Sequence, residues 1–546
     1  MATAEQRYRA LESDRNYYLD RARTSARLTI PWLIPTSNEP TTKTRETYPV
    51  PWNGIGARGV LNLASRMLLA LLPPTQTFFR FALDEAALAA QGVSPEEKDD
   101  FEVALSKIER QVLREIEASN DRVAFHEALL HLLVSGNALL YISPEGLRVF
   151  HLNRYVCSRD PMGNPMEAVV CEELPIHSLP AKVQALLAQE DDELKGILED
   201  REPITRKDDE KTVKLFTYVQ WTDKQVLWHQ EVRGIKIPGT EGKAPLDVSP
   251  WLPLRMTRVD GQPYGVGYVE AAAIADLQTV EVLCQAVAEG SLASAKVLFL
   301  VKPSGVTKAA DLAKAPNGSF VTGDPNDVIA LQVQKAQDLS VAMQGKQQIE
   351  ARLSQAFMLA DVRDSERTTA EEVRLQALQI ENSLGSIYSI LTTEFQVPYV
   401  SRKLDILTRA GKVPKLPKDL VKPVMTVGLA AVGRGNDLEQ IVRFTTTLGQ
   451  TMGPEALATY IKPPELIKRL AYSMGIDVLG LVKTEEELAA EQQQQQQMAM
   501  RQQAMASPMA DPQKLANAAA TAQQIQQVQQ GQQPADQQQP TDQQPA

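Results

Sequence analysis

The sequence predicts an α+β fold that is mainly helical, and three observations lead to this prediction. Between 335 and 411, apolar residues recur at the three- and four-residue spacing of amphipathic helices. Between 138 and 237 the apolar period changes to two, which predicts short antiparallel strands. From Glu491 onward the chain has 22 glutamines in 56 residues and few large apolar side chains, which predicts a disordered tail.

Length, charge and cysteine content exclude several classes of protein. The 546 residues can bury a large core in several subdomains, and 57 basic against 68 acidic residues give a net charge of −11. This acidity argues against a protein that binds nucleic acid tightly, but not against one through which nucleic acid moves without being held. Cys157, Cys171 and Cys284 have no paired spacing, so neither a disulfide framework nor a zinc site is expected. The charged N-terminus predicts no signal peptide, and we expect no membrane span because no apolar run approaches about 18 residues.

The first 260 residues are predicted to form helices followed by a mostly antiparallel α+β lobe. Helices are expected at 5–28, 57–72 and 121–134, and Ser94-Pro95-Glu96-Glu97 carries the capping signals of another. The charged first helix is expected to face solvent or another subunit. Strands are predicted at 138–142, 147–151, 166–172, 212–221 and 225–237, with a charged helix near 179–198.

Two long helices with an insert between their far ends are predicted next. The first follows the glycine-rich stretch 261–267, and the second carries Ile349 and Leu353 on its apolar stripe. In the insert we expect strands from Val297 to Val301, at Phe320-Val321 and from Val328 to Val333, and a short helix at 308–315 capped by Thr307.

A densely charged loop then separates two helices. Residues 361–367 hold five charges, and Thr368 with Glu371 forms a capping box that starts the next helix. The apolar stripe of this helix continues past Pro398, and an interior proline predicts a kink between Phe395 and Pro398. Further helices are expected at 437–450, 455–461 and 464–474.

No catalytic, cofactor or metal site is predicted. Gly54-Ile55-Gly56-Ala57-Arg58-Gly59 matches a dinucleotide-binding pattern, but prolines spoil the preceding strand, so we interpret it as a tight start of a helix. His126 and His131 have a spacing of five, which separates the imidazoles around a helix. Because no P-loop motif occurs, a nucleotide-driven motor is not supported.

Several stretches together resemble the portal, or head-to-tail connector, proteins of short-tailed (podovirus-type) bacteriophages. Residues 366–373, Ser383-Leu384-Gly385 and 388–391 are similar to the start of the long kinked helix beside the tunnel loop of that family. The N-terminal block with Pro51-Trp52 and Gly56-Ala57-Arg58-Gly59 also resembles it, as do Asn62-Leu63-Ala64-Ser65, Tyr264-Gly265, 268–270 and Gly433-Arg434-Gly435. The similarity covers about residues 5–490.

The resemblance implies a subunit with an α+β wing, a two-helix stem, a small α/β clip, a long kinked helix and a helical crown. Projected onto this chain, the parts are N-terminal helices and wing at 1–260, stem helices at 261–294 and 335–360, clip at 295–334, tunnel loop at 361–370, kinked helix at 371–411, crown at 412–490 and the glutamine-rich tail at 491–546.

It also implies a dodecameric ring in the virion, at one capsid vertex, after synthesis in the host cytoplasm. Expected partners are double-stranded DNA in the channel, a terminase motor, major capsid and scaffolding proteins and tail adaptor proteins, with no membrane and no cofactor. The chain itself is expected not to be an enzyme. Arg363 and Arg367 are candidates for phosphate contact, and Asp361, Asp364 and Glu366 would limit its strength. Alternatively, these charges pair with one another or with neighbouring subunits.

Two other classes of protein stay open at this point. A monomeric DNA-processing enzyme would require a nucleotide or metal that no motif supports. A helical scaffold or internal virion protein would not need a kinked helix beside a charged loop. A ring with a central hole, seen by electron microscopy, distinguishes the portal hypothesis from both.

The glutamine-rich tail is predicted to be dispensable for folding and assembly. Its composition offers too little apolar surface to bury a core. A chain ending at Ala490 should therefore give the same oligomer and the same thermal unfolding midpoint as the full chain. Loss of the oligomer on truncation would contradict this prediction.

Overall fold

The structure of the protein, a computed structural model, describes most of the first 425 residues and little of the rest. The described ranges are 2–37, 47–73, 78–83, 95–190, 212–295, 298–316, 318–331, 336–359, 387–414, 421–425 and 441–451, with a few single positions besides. The chain divides into one unit of residues 1–433 and a second of 434–546, in which 441–451 are helical.

Helices and strands alternate along the described chain. The α-helices are α1 Ala4–Leu28, α2 Ile55–Leu71, α3 Pro95–Ala118, α4 Asp121–Ser135, α5 Ala181–Glu190, α6 Ile274–Ala295, α7 Ala309–Lys314, α8 Ala336–Ala356 and α9 Val397–Arg409. The strands are β1 Phe79–Leu83, β2 Asn137–Ser143, β3 Gly146–Phe150, β4 Tyr155–Arg159, β5 Pro165–Pro175, β6 Thr212–Trp221, β7 Gln225–Val232, β8 Ile235–Lys236, β9 Gly242–Pro245, β10 Trp251–Arg255, β11 Leu298–Val301, β12 Val328–Leu331 and β13 Val421–Met425.

The predicted α+β class is confirmed, and the strands form antiparallel sheets. Strands β4 to β8 lie in sequence order in one sheet, with β9 also paired to β7, and β10, β2 and β3 form a second. The sequence pattern missed β10 because all five of its residues are buried and Pro253 interrupts it, so no period of two is visible. It also missed β13, which pairs with β1 and lies in the region 412–490 that was expected to be helical.

The first helix has one exposed face, as expected, but its other face packs in the core of the subunit. Leu19, Ala22 and Ala26 join the main core, and the fully buried Arg15 is bonded within the subunit. Its Nη1 donates to the hydroxyl of Tyr8 at 2.6 Å and to the carbonyl of Asn153 at 2.8 Å. A buried guanidinium needs such hydrogen-bond acceptors. At least this one charge of the helix therefore faces the interior of the subunit and not solvent.

Helices α6 and α8 form the predicted hairpin. Their inner stripes include Leu277 and Val280 on α6 and Ile349 and Leu353 on α8, all buried. Beyond these residues the side chain of Leu339 on α8 lies directly against Gly290 on α6: a Cβ on Gly290 would lie 2.8 Å from Cδ2 of Leu339. The hairpin therefore holds together by direct packing of one helix on the other.

The insert between the hairpin helices has the β11/β12 pair and the short helix α7, but two predicted details are wrong. Thr307 does not cap α7; its Oγ1 accepts from Asp324 N at 2.8 Å, and its backbone lies against the carboxylate of Asp327. Phe320-Val321 forms no strand, and the Phe320 side chain is wholly exposed. The carboxylate of Asp327, rather than the hydroxyl of Thr307, therefore accepts the backbone N–H bonds just before α7.

One helical segment is longer and more apolar than was expected from the sequence. Within the described residues, Val269–Ala293 is long and apolar enough to cross a membrane by length and composition alone. Its buried residues, such as Val269 and Leu277, belong to the core of the subunit. The expectation that no apolar run has this length is therefore corrected.

Candidate functional site

The predicted charged loop lies between two helical ends that the structure describes. Asp361, Arg363, Asp364, Glu366 and Arg367 themselves lie outside the described residues, as does the capping box at Thr368 and Glu371. Their proposed contacts thus remain predictions. The chain is described up to residue 359, just before the predicted loop, and again from 387, within the helix predicted to follow the loop.

The departing end is fixed by hydrogen bonds to the last carbonyls of α8. The side-chain amide of Asn62 donates to the carbonyls of Phe357 at 3.2 Å and Met358 at 3.1 Å, and the hydroxyl of Tyr268 donates to that of Ala356 at 2.7 Å. Carbonyls at a helix C-terminus have no partner within the helix, so these side chains satisfy them. Met358 has φ 51°, the left-handed conformation that ends the helix.

The glycine-rich motif near residue 54 supports this same end. A side chain on Gly59 would overlap the ring of Phe357, and a Cβ on Gly56 would meet the carbonyl oxygen of Leu28 at 2.5 Å. The described residues 47–53 before the motif form no strand. The prediction of a tight helix start is confirmed, and the glycines allow close packing of α2 against α8 and α1.

The returning end contains one turn of π-helix, Thr392–Gln396, directly before α9. Glu394 in this turn accepts from the backbone N–H of Arg255 at 3.0 Å and from its Nη2 at 2.6 Å. Arg255 is buried; burial and the neighbouring Arg159 lower its pKa, and Glu394 opposes that effect. The ion pair joins the helix to the end of strand β10.

Two further contacts hold the π-turn. The fully buried side-chain amide of Gln396 donates to the carbonyl of Leu71 at 2.8 Å, and the ring of Phe395 stacks on Phe125 with centroids 3.7 Å apart. Pro398 follows as the second residue of α9, and the N–H of Val397 bonds to the carbonyl of Thr392. Such turns are one known cause of helix bends, and the predicted kink at Pro398 stays a prediction.

A buried ion pair ties the returning helix to the rest of the subunit. Oδ2 of Asp121 lies 2.6 Å from Nζ of Lys403 and accepts from the hydroxyl of Tyr399 at 2.7 Å, while its Oδ1 accepts from the N–H of Leu147 at 2.9 Å. Asp121 is fully buried and Lys403 nearly so. Burial and the adjacent Asp121 raise the pKa of Tyr399 well above its usual value, so this hydroxyl stays a donor.

A second π-turn, Val269–Ala273, stands at the base of α6. Its Glu270 is bound by the guanidinium of Arg21 on α1, whose Nε donates at 2.6 Å. Each described π-turn thus carries a glutamate held by an arginine of another element. The first turn lies within the helical stretch 387–409 and the second at the start of α6, and each arginine contact fixes its helix to another element of the subunit.

The structure brings together no chemistry typical of an enzyme among the described residues. His126 lies near the hydroxyl of Ser65, whereas His131 lies beside His151 and 3.9 Å from Glu127, so the two histidines do not share a site. No group of three His, Cys, Asp or Glu side chains in the described part of the chain is placed to hold a metal ion. What the structure describes of this site is the two flanking segments, up to residue 359 and from residue 387, and the contacts that hold each of them.

Sequence reasoning identified the loop and its flanking helices but not the residues that anchor them. Asn62, Arg255 and Asp121 lie far from the loop in sequence, in stretches whose local pattern predicts ordinary helix or strand. Only Asp121 gave a usable signal, because an acid in the first turn of a helix is commonly stabilising there. Its partner Lys403 gave none.

Comparisons with known proteins agree with one another. The model of the family described as bacteriophage head to tail connecting protein matches residues 1–482. The portal protein of Escherichia phage T7 is 36% identical over 495 residues, which are 88% of this chain and 88% of that protein. The portal protein of Enterobacteria phage T3 is also 36% identical, over 89% of both chains. That of Pseudomonas phage phiKMV is 27% identical over 88% of this chain and 92% of its own length.

Proposed function

The chain belongs to the bacteriophage head-to-tail connecting protein family and has a portal function, and on this premise we propose that its copies close into a ring around a DNA channel. The observation that carries the proposal is the family match over residues 1–482, supported by relatives that align over nearly the whole chain. A helical scaffold or internal virion protein is not favoured by these relationships.

We propose a ring of twelve subunits at one vertex of the capsid. In this arrangement the hairpin of α6 and α8 serves as stem, the insert at 295–334 as clip and the sheets of the first 260 residues as wing. The long helix at 371–411 and the helical region at 412–490 serve as kinked helix and crown. The fixed ends of the charged loop support this assignment, because a channel loop must be held at both ends while DNA passes.

The acidity of the chain fits a channel through which DNA slides. Duplex DNA carries about one negative charge per 1.7 Å of its axis, so a basic wall would bind it, whereas an acidic wall does not. We propose that Arg363 and Arg367 provide local phosphate contacts within this wall. Asp361, Asp364 and Glu366 weaken those contacts, so that the loop retains DNA without stopping it.

The proposed partners act at different parts of the ring. The clip would dock the terminase motor during packaging and tail adaptor proteins afterwards, and the wing would face capsid and scaffolding proteins. Portal proteins are structural, and we propose that this chain hydrolyses no nucleotide, leaving ATP hydrolysis to the motor. The proposed location is the capsid vertex of the virion, after synthesis in the host cytoplasm.

Assembly of the purified chain tests the proposal. Without nucleotide or metal, at micromolar concentration and near-physiological salt, the protein should form closed rings. Electron microscopy should show a central hole, and native mass measurement should give a single mass near twelve subunits. Monomers alone under these conditions would count against a ring-forming portal.

A further inference from the structure

Three arginines, which we call the arginine cluster, converge on one turn of the subunit. Arg159 ends β4, Arg255 ends β10 and Arg258 follows β10. The carbonyl of Gly163 accepts from Nη1 of Arg159 at 2.9 Å and from Nη2 of Arg255 at 3.2 Å. The carbonyl of Met162 accepts from Nη2 of Arg258 at 2.8 Å. The turn between β4 and β5 therefore gathers three guanidiniums around it.

Two of these guanidiniums approach the same point. A Cβ on Gly163 would lie 2.7 Å from Nη2 of Arg258, and 3.3 Å and 3.4 Å from Nη1 and Nη2 of Arg255. Gly163 also has φ 87°, a conformation that side chains rarely adopt. The residue at the centre of the cluster thus has no side chain that could separate the two guanidiniums, and one small ligand beside it can reach both.

The arginine cluster has more positive than negative charge. Among the described residues, Glu394 is the one carboxylate within 4.0 Å of any of the three guanidiniums, and it binds Arg255. Asp160 instead accepts from the backbone and the side chain of Asn164, at 2.7 Å and 2.9 Å, and Asp260 lies beyond salt-bridge distance. Two positive charges therefore have no counter-charge in the described part of the chain, although the net charge of the whole chain is −11.

The excess charge is both unfavourable and accessible. Burial and the neighbouring Arg159 lower the pKa of Arg255, and Arg258 adds to that effect. Like charges held together in this way are stabilised when an anion joins them. The side chain of Arg258 is exposed, and its bond to Met162 uses one of its five N–H groups. The other N–H groups are available to a ligand from solvent.

We infer that the arginine cluster binds a phosphate group through Arg258 and Arg255. The fork of N–H groups on a guanidinium matches phosphate oxygens, and a tetrahedral phosphate presents oxygens to two guanidiniums at once. The phosphate belongs either to a nucleic-acid backbone or to free phosphate, since both present the same oxygens. This site is separate from the predicted loop at 361–367, and it does not depend on the proposed ring.

Titration of the full-length chain with inorganic phosphate, in a phosphate-free buffer of low ionic strength, tests the site. Arg258→Gln should weaken phosphate binding about tenfold, the usual effect of losing a hydrogen bond between charged groups. Folding should be unaffected because this side chain is exposed, as checked by circular dichroism. Arg114→Gln, at an exposed position of α3, removes the same charge elsewhere and should bind phosphate as the parent does.

Glu394→Gln changes the site in the opposite direction. It removes the carboxylate that competes for Arg255, while the new amide oxygen can still accept from the backbone N–H of that residue. Phosphate binding should tighten several-fold because the excess positive charge rises by one. Arginines that serve only to hold backbone carbonyls would show no such gain. If Arg258→Gln misfolds, this variant decides the question, and the reverse also holds.

A short DNA duplex, titrated in the same way, distinguishes the two sources of phosphate. Weaker duplex binding by Arg258→Gln than by Arg114→Gln would identify nucleic acid, whereas an effect on inorganic phosphate alone would identify free phosphate. Equal binding of both probes by these two variants would overturn the inference, as would equally tight binding of a poly-glutamate peptide, which carries no phosphate. Failure of Arg258→Gln to form the parent oligomer would also overturn it, because Arg258 would then pair with a neighbouring copy.

Discussion

Replacing Asp121 with alanine is expected to lower the free energy of unfolding by about 3–5 kcal/mol, because it leaves Lys403 buried without a counter-charge. The carboxylate touches Lys403 Nζ at 2.6 Å, the hydroxyl of Tyr399 and the N–H of Leu147, and no part of Asp121 is exposed. The loss should be measured by urea unfolding at one fixed subunit concentration, because assembly contributes to apparent stability.

A surface ion pair of the same chain provides the matched control. Lys412 lies 2.9 Å from Glu115, but their side chains are 49% and 35% exposed. Water and salt screen such a pair, so Glu115→Ala should cost less than about 1 kcal/mol. Equal losses for Asp121→Ala and Glu115→Ala would contradict the importance assigned to the buried pair.

Removing both buried charges together should restore most of the stability. In Asp121→Asn with Lys403→Met, the amide oxygen can accept from Leu147 N–H, and the amide nitrogen can donate to the hydroxyl of Tyr399, which also accepts hydrogen bonds. Replacing both members of a buried ion pair by uncharged groups is often close to neutral. A double variant as unstable as Asp121→Ala would show that packing around the pair, rather than its charge, is what matters.

The sequence predicted those elements whose signals are local and periodic. The five strands expected between 138 and 237 are present as β2, β3, β5, β6 and β7. The expected inner stripe of α6 is buried from Val269 to Val280, whereas Ser291 at its far end is exposed. Side-chain period depends on which face of an element is buried, so it can be read without a partner. Strand β10 escaped detection for the same reason, because it is buried on both faces.

Long-range contacts could not be predicted from local pattern. The anchors of the charged loop join residues separated by 139 positions in the Arg255–Glu394 pair and by 295 in the Asn62–Phe357 bond. Nothing near Glu394 distinguishes an acid on a solvated helix face from one held by a buried arginine. No local pattern predicts the π-turn at Thr392–Gln396 either.

Replacing Arg363 and Arg367 together with alanine should leave ring assembly intact and reduce the amount of DNA retained in the capsid. The loop 361–367 holds three acids and two bases, so the double substitution changes its net charge from −1 to −3 in every copy. Around a ring these increments add up beside the DNA, within the roughly 8–10 Å over which salt leaves charges unscreened. Each arginine removed also takes away charge-assisted hydrogen bonds to phosphate oxygens.

The readout is the quantity of nuclease-protected DNA per particle, which we expect to fall on the order of tenfold, the effect of losing about 1.4 kcal/mol of holding free energy. Asp361→Asn with Asp364→Asn changes the same loop in the opposite direction, from −1 to +1, and should hold DNA more strongly and slow its release. Parent-like packaging and retention in the arginine variant would show that Arg363 and Arg367 do not contact DNA. Failure of that variant to form rings would instead show that these charges pair between subunits, because the helix ends beside the loop are anchored by Asn62, Arg255 and Asp121 independently of it.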